Sequence, residues 1–259
     1  MICQCKYRKC RPNPKKKING FPFLYLCLAN VHCHPRESMF RTAVTIFRKE
    51  IAVELRTKYA LNTMVAFTGS ALLLVLFSLR ADQMEPGPRS GLIWIILLFA
   101  ALSGMARSFV QERERKTDRL LRLHTRGTDV YTGKLLYNTC FLLLILFPAF
   151  FIYIRMMGMS IVEPLFFGAA ILFGSTGLAS VTTITSAMVA QANRKGSLFS
   201  ILSIPLLTPL LLILINVTKT ALVHGIQSGS WNDFTALISY SGVTITMGWV
   251  LFDLMWGDV

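Results

Sequence analysis

The chain has 259 residues, 53% of them hydrophobic and 15% charged, whereas soluble domains of this size carry about 25% charged residues. Its net charge of +14 would suit a nucleic-acid binder. The basic residues, however, cluster at the ends of apolar runs, where membrane topology alone places them. Composition thus argues against a soluble domain and a nucleic-acid partner, and for an integral membrane protein.

Taken in chain order, residues 1–38 stand apart. They hold five of the six cysteines (Cys3, Cys5, Cys10, Cys27, Cys33) together with His32 and His34. Their C-x-C and H-C-H spacings match no four-ligand zinc pattern. A signal-peptide reading, with Lys15–Lys17 before an apolar Phe21–Val31, is weakened by Pro22 inside that core. It would also leave the basic residues 41–58 facing outward. The favoured expectation is a disordered or non-native extension ahead of a start at Met39, with residues 39–259 forming the folded domain.

Next comes FRTAVTIFRKEIAVELRTKYAL, where Phe40, Val44, Phe47, Ile51 and Leu55 recur at helical spacing. Arg41, Arg48, Lys49, Glu50 and Arg56 largely take the other faces. Glu54 and Lys58 form an i,i+4 pair in the favourable order. This predicts an amphipathic helix lying in the membrane interface.

Apolar runs then recur at roughly 60–79, 91–110, 135–154, 165–192, 197–217 and 234–256, each about long enough to cross a bilayer as a helix. None alternates with period two, so a β-barrel is excluded. Backbone hydrogen bonding leaves an all-α membrane protein of six transmembrane helices with an N-terminal interfacial helix. The loops on one side of these spans hold fifteen Lys and Arg, among them Arg48, Arg119, Lys134 and Arg194, against Arg80, Arg89, Arg155 and Lys219 on the other. That bias places both termini and the segment 107–134 in the cytoplasm.

Within the fourth run, Ala170-xxx-Gly174 and Ser175-xxx-Ala179, widened by Gly177 and Ser180, make a smooth small-residue strip. It serves either as an interface that slides during transport or as ordinary tight packing. In the fifth run Pro205 and Pro209 remove two backbone donors and imply a bend satisfied by neighbouring helices.

The chemistry-bearing motifs are few. Gly133-Lys134 lacks the glycine and the Ser or Thr of a phosphate-binding loop. No acid–base pair or metal-ligand cluster stands out in the membrane part. Asp253 is the one carboxylate read as deep in a span, near its cytoplasmic end. His124 and His224 fall in loops, and Met156, Met157 and Met159 read as interfacial filling. No catalytic residue and no resident metal is expected.

The order of parts resembles the membrane subunit of an ABC-2-type transporter, and more narrowly the CcmB family, haem exporter protein B of cytochrome c maturation. Asn193–Ile213, NRKGSLFSILSIPLLTPLLLI, carries the strongest likeness: a basic turn, a glycine, a leucine-rich start and two spaced prolines. Gly91–Trp94 (GLIW), the segment Glu112–Lys134 and Gly174-Ser175-Thr176 match further parts, covering Met39 to Val259 in all.

The resemblance implies a non-enzymatic permease in a bacterial inner membrane. It implies a CcmA-type ATPase partner that holds the ATP and a CcmC-type haem-handling partner, with haem as cargo rather than as a bound cofactor, and it leaves a homodimer open. It further implies that a cytosolic helix docks on the ATPase. Leu120, Leu121 and Leu123 would be the apolar plug, ringed by Arg119, Arg122 and Arg126. The alternatives are an ABC-2 permease for lipid, polysaccharide or drug, and a membrane scaffold that transports nothing.

Overall fold

A computed structural model of the chain describes residues 39–78, 85–105, 125–191, 197–225 and 229–257. The helices belong to one unit, Met39–Val259. The tail 1–38, with its cysteine and histidine pattern, lies outside the described residues.

In chain order the helices are α1 (Met39–Thr57), α2 (Tyr59–Ser78), α3 (Pro86–Met105), α4 (Gly127–Met156), α5 (Pro164–Gln191), α6 (Ser197–Lys219) and α7 (Ser230–Gly257). The described residues contain no strand. From α2 to α7, six helices are long and apolar enough to cross a membrane, which makes this a multi-pass membrane protein. Their outer faces carry large apolar side chains such as Leu74, Phe77, Leu144, Phe147, Phe151 and Val250. In water those faces would be costly to expose; in lipid they are at home.

Helix starts differ from the apolar runs, and each difference has a local cause. α3 begins at Pro86, the position where a missing N–H and a fixed φ favour initiation. α7 begins at Ser230, with Asp233 in its first turn. A carboxylate there suits the helix dipole but lowers local hydropathy, hiding the turn from an apolar count. The largest shift is in α4, which starts at Gly127 instead of 135 and runs for 30 residues. At 1.5 Å per residue that is about 45 Å, well beyond a hydrocarbon core of about 30 Å.

α1 and α2 are almost one helix. Lys58 alone separates them, in the left-handed region at φ 51°, a conformation that interrupts a right-handed helix. The Glu54–Lys58 pair expected from spacing is replaced by another contact. Glu54 Oε1 accepts the Leu61 N–H at 2.8 Å, capping the start of α2 across the break.

α5 lies at the centre, packed on α3, α4, α6 and α7; α2 leans on α3, and α1 leans on α4. α3 and α4 run antiparallel. Near one end of the bundle Tyr153, late in α4, donates to the Arg89 carbonyl, early in α3, at 2.8 Å. At that same end the last turn of α6 widens to i→i+5 bonding over Thr220–His224. Gly225 closes it at φ 67°, a backbone state that glycine adopts without strain. The Ala221 carbonyl there accepts the N–H groups of Val162 and Glu163 at 3.2 and 3.1 Å, pinning the α4–α5 connection onto α6.

Candidate functional site

The candidate site is the root of α4, where the helix emerges from the segment 106–124. Arg119, Leu120, Leu121, Arg122 and Leu123, together with Arg107 and His124, lie outside the described residues. Arg126 is described: it is exposed, stands immediately before the helix with φ −80° and ψ 151°, and accepts the Val130 N–H on its carbonyl at 3.2 Å. Asp129 in the first turn again favours the helix dipole.

Two turns further on, α1 crosses α4 where α4 presents no side chain, at Gly133. A Cβ on Gly133 would sit 2.8 Å from the Ala43 carbonyl oxygen and from Ile46 Cβ, closer than real carbon contacts allow. Only glycine permits this approach. Ala43 and Ile46 are buried by it.

Beside that crossing, Lys134 is wholly buried, and its Nζ donates to Glu50 Oε1 at 3.0 Å. Lys49 Nζ reaches the same oxygen at 3.5 Å from a more exposed position. Lys134 is therefore not the loop residue that a charge count makes it. It is an internal ion-pair member linking two helices 84 residues apart in sequence. Such a pair contributes little net stability in itself but is costly to break from one side. The sequence does not announce it: a Gly-Lys dipeptide beside an apolar run reads as a span boundary, and its partner lies on another helix.

The opposite side of the α4 root is held equally closely. The Tyr131 hydroxyl lies 3.4 Å from Ser180 Oγ on α5, and its ring packs on Phe252 of α7 with centroids 5.8 Å apart. Gly248 of α7 leaves the space that the Tyr131 hydroxyl fills. Two turns along, Asn138 Nδ2 donates to Thr183 Oγ1 of α5 at 2.7 Å. The first three turns of α4 are thus fastened to α1, α5 and α7 together.

Gly174 and Gly177 fall where α5 meets α3, α6 and α7. A Cβ on Gly174 would lie 2.6 Å from Leu214 Cδ2 and 2.7 Å from Trp94 Cη2. Trp94 is fully buried, donates to Thr218 Oγ1 at 2.8 Å and meets Phe150 edge-on. A Cβ on Gly177 would lie 3.0 Å from Leu210 Cδ1 and from Ser241 Oγ. Pro205 and Pro209 both sit inside α6 and both face outward, away from buried Leu207 and Leu210. Tyr240 of α7 donates to the Leu206 carbonyl between them at 2.5 Å. A third proline of this kind, Pro148, lies within α4.

Other candidates do not converge. Met157 is buried while Met156 is 61% exposed, so the methionine run presents no common face. Among the described residues no three His, Cys, Asp or Glu side chains are grouped to hold a metal. Asp253 is exposed on α7.

A comparison with curated proteins finds no match. The family model described as CcmB protein matches residues 41–249, which takes in α1, all of α2 to α6 and most of α7. With six apolar helices and a match over most of its length, the chain belongs to the CcmB family, the membrane subunits of haem-exporter type in cytochrome c biogenesis.

Proposed function

We propose that this chain is the permease of an ABC-type complex in a bacterial inner membrane, with its N terminus and the α4 root on the cytoplasmic side. The segment 107–126 docks on a CcmA-type ATPase subunit, and ATP turnover there drives haem delivery for cytochrome c assembly together with a CcmC-type partner. The chain itself hydrolyses nothing and holds no resident cofactor.

The observation that carries this reading is the fastening of the α4 root. Arg126 abuts a helix that is tied by Gly133 and Lys134 to α1, by Tyr131 and Asn138 to α5, and by Tyr131 to α7. A purely topological loop needs no such rigid attachment. Leu120, Leu121 and Leu123, ringed by Arg119, Arg122 and Arg126, supply the apolar plug that a cleft on the ATPase grips.

The test is affinity purification in mild detergent of wild type and of Leu121→Asp with Leu123→Asp. Wild type brings the ATPase with it and the variant loses it. Undiminished co-purification with the variant refutes the docking role.

A further inference from the structure

We propose that α1 is a binding surface for anionic phospholipid, with Arg41, Arg48 and Arg56 holding the headgroups and Phe40 and Leu55 entering the acyl layer beneath them. This rests on α2 to α7 spanning a membrane and is independent of the cargo and of the ATPase.

Advancing 100° per residue, α1 divides into three adjacent sectors. The first, Ala43, Ile46 and Glu50, is buried against α4. The second is the apolar stripe Phe40, Val44, Phe47, Ile51 and Leu55. Its two ends stand free, Phe40 at 77% and Leu55 at 69% exposure. The third holds Arg41, Arg48 and Arg56, all exposed. The apolar stripe lies between the protein-bound sector and the basic one. That order sinks hydrocarbon into the layer while arginines reach up to phosphates.

Charge is sorted around the helix as well. Both carboxylates of α1 are engaged away from the basic sector: Glu50 is buried on Lys134 and Lys49, and Glu54 caps the Leu61 N–H. The basic sector therefore meets its surroundings with no acid of its own helix beside it. Its complement is a surface of negative charge.

The link to α2 selects which surface. Lys58 is the single residue between α1 and the first spanning helix, and the Lys58 N–H bonds back to the Glu54 carbonyl at 2.6 Å. With so short a tether, the Leu55–Arg56 end of α1 stays at the level where α2 enters the bilayer, and the contact of Ala43 and Ile46 with Gly133 holds the other end against the first turns of α4. A partner deeper in the cytosol lies out of its reach, whereas lipid headgroups lie alongside it.

The experiment is native mass spectrometry of the full-length chain in detergent, titrated with phosphatidylglycerol or with phosphatidylcholine. Wild type retains phosphatidylglycerol in preference. Each arginine replaced by glutamine lowers that retention about fivefold, and Arg41→Gln with Arg48→Gln and Arg56→Gln together lower it about a hundredfold, with phosphatidylcholine retention unchanged. An unchanged melting temperature in phosphatidylcholine shows that the triple variant is folded. Glycerophosphate, a headgroup without chains, does not compete. Equal retention of the two lipids by wild type, or undiminished phosphatidylglycerol retention by the folded triple variant, overturns the proposal. So does a triple variant that loses the ATPase while keeping the lipid, because the sector is then a protein contact.

Discussion

Removing the carboxylate of Glu50 is the sharpest perturbation the structure offers. Lys134 Nζ is inaccessible and lies 3.0 Å from Glu50 Oε1, whereas the Glu50 side chain keeps 11% exposure and a second cation in Lys49 at 3.5 Å. The two halves of the pair are therefore unequal. Glu50→Gln takes the carboxylate from a buried ammonium that has no route to solvent, and costs about 3 kcal/mol. Lys134→Met takes the ammonium from a carboxylate that retains Lys49 and a rim of solvent. It costs less, about 1.5–2 kcal/mol, the low end of the range of about 1.5–3 kcal/mol for a hydrogen bond to a charged group. Replacing both, Glu50→Met with Lys134→Met, leaves an apolar contact of similar volume and returns stability to within about 1 kcal/mol of wild type.

The assay is a double-mutant cycle of Glu50→Met, Lys134→Met and the two together on the purified chain, with Glu50→Gln alongside, read by thermal unfolding in one detergent at one protein concentration. These costs make the coupling energy about 3 kcal/mol or more, at or above the top of the range of about 0.5–3 kcal/mol for residues in direct contact. Two results would refute the reasoning: additive single effects, showing that the two side chains do not sense each other, or Lys134→Met costing more than Glu50→Gln.

Further expectations concern the bundle and its connections. Gly174→Ala drives a methyl against Leu214 and Trp94 and costs about 1–3 kcal/mol by overpacking, read as a lower melting temperature. Asn138→Val removes the interhelical bond to Thr183 and costs only about 0.6 kcal/mol, the average for such bonds between membrane helices, so a loss of several degrees would show a larger role. Gly158→Ala forces a side chain into a left-handed residue at φ 63° with open space around it, and destabilises by about 1 kcal/mol through backbone strain alone. At Gly168, where the helix is equally uncrowded, the same change stabilises by about 0.5–1 kcal/mol.

Hydropathy made the six spans legible because helices in lipid are apolar all round, and a span needs no pattern beyond its length. It misplaced the α4 root because Lys134 looks like an end to any count of apolar residues. Buried charge is visible only with its partner, and Glu50 is on another helix. Periodicity likewise found the apolar stripe of α1 but not its protein-bound face. Ala43, Ile46 and Glu50 bury next to Gly133 because they are where a small backbone-to-backbone crossing fits, while the greasier Phe40 and Leu55 remain outside. The glycines of α5 could be listed from sequence as small residues. What each one admits, Trp94 and Leu214 at Gly174 or Leu210 and Ser241 at Gly177, depended on which helices arrive there.

Two of these misses, the Lys134–Glu50 pair and the protein-bound face of α1, share a location, the joint of α1 with α4, where a charged pair is buried while the ends of the most apolar stripe stay exposed. A glycine crossing and a buried ion pair hold α1 by the sector of Ala43, Ile46 and Glu50, which lies beside its apolar stripe. That choice leaves the arginines and the two ends of the stripe, Phe40 and Leu55, outward while Phe47 and Ile51 pack on the bundle core, and it ties the helix to the residue run that follows Arg126. A helix needed only for topology would bury its greasiest face. Here α1 is gripped beside that face instead, and Gly133 and Lys134 supply the grip.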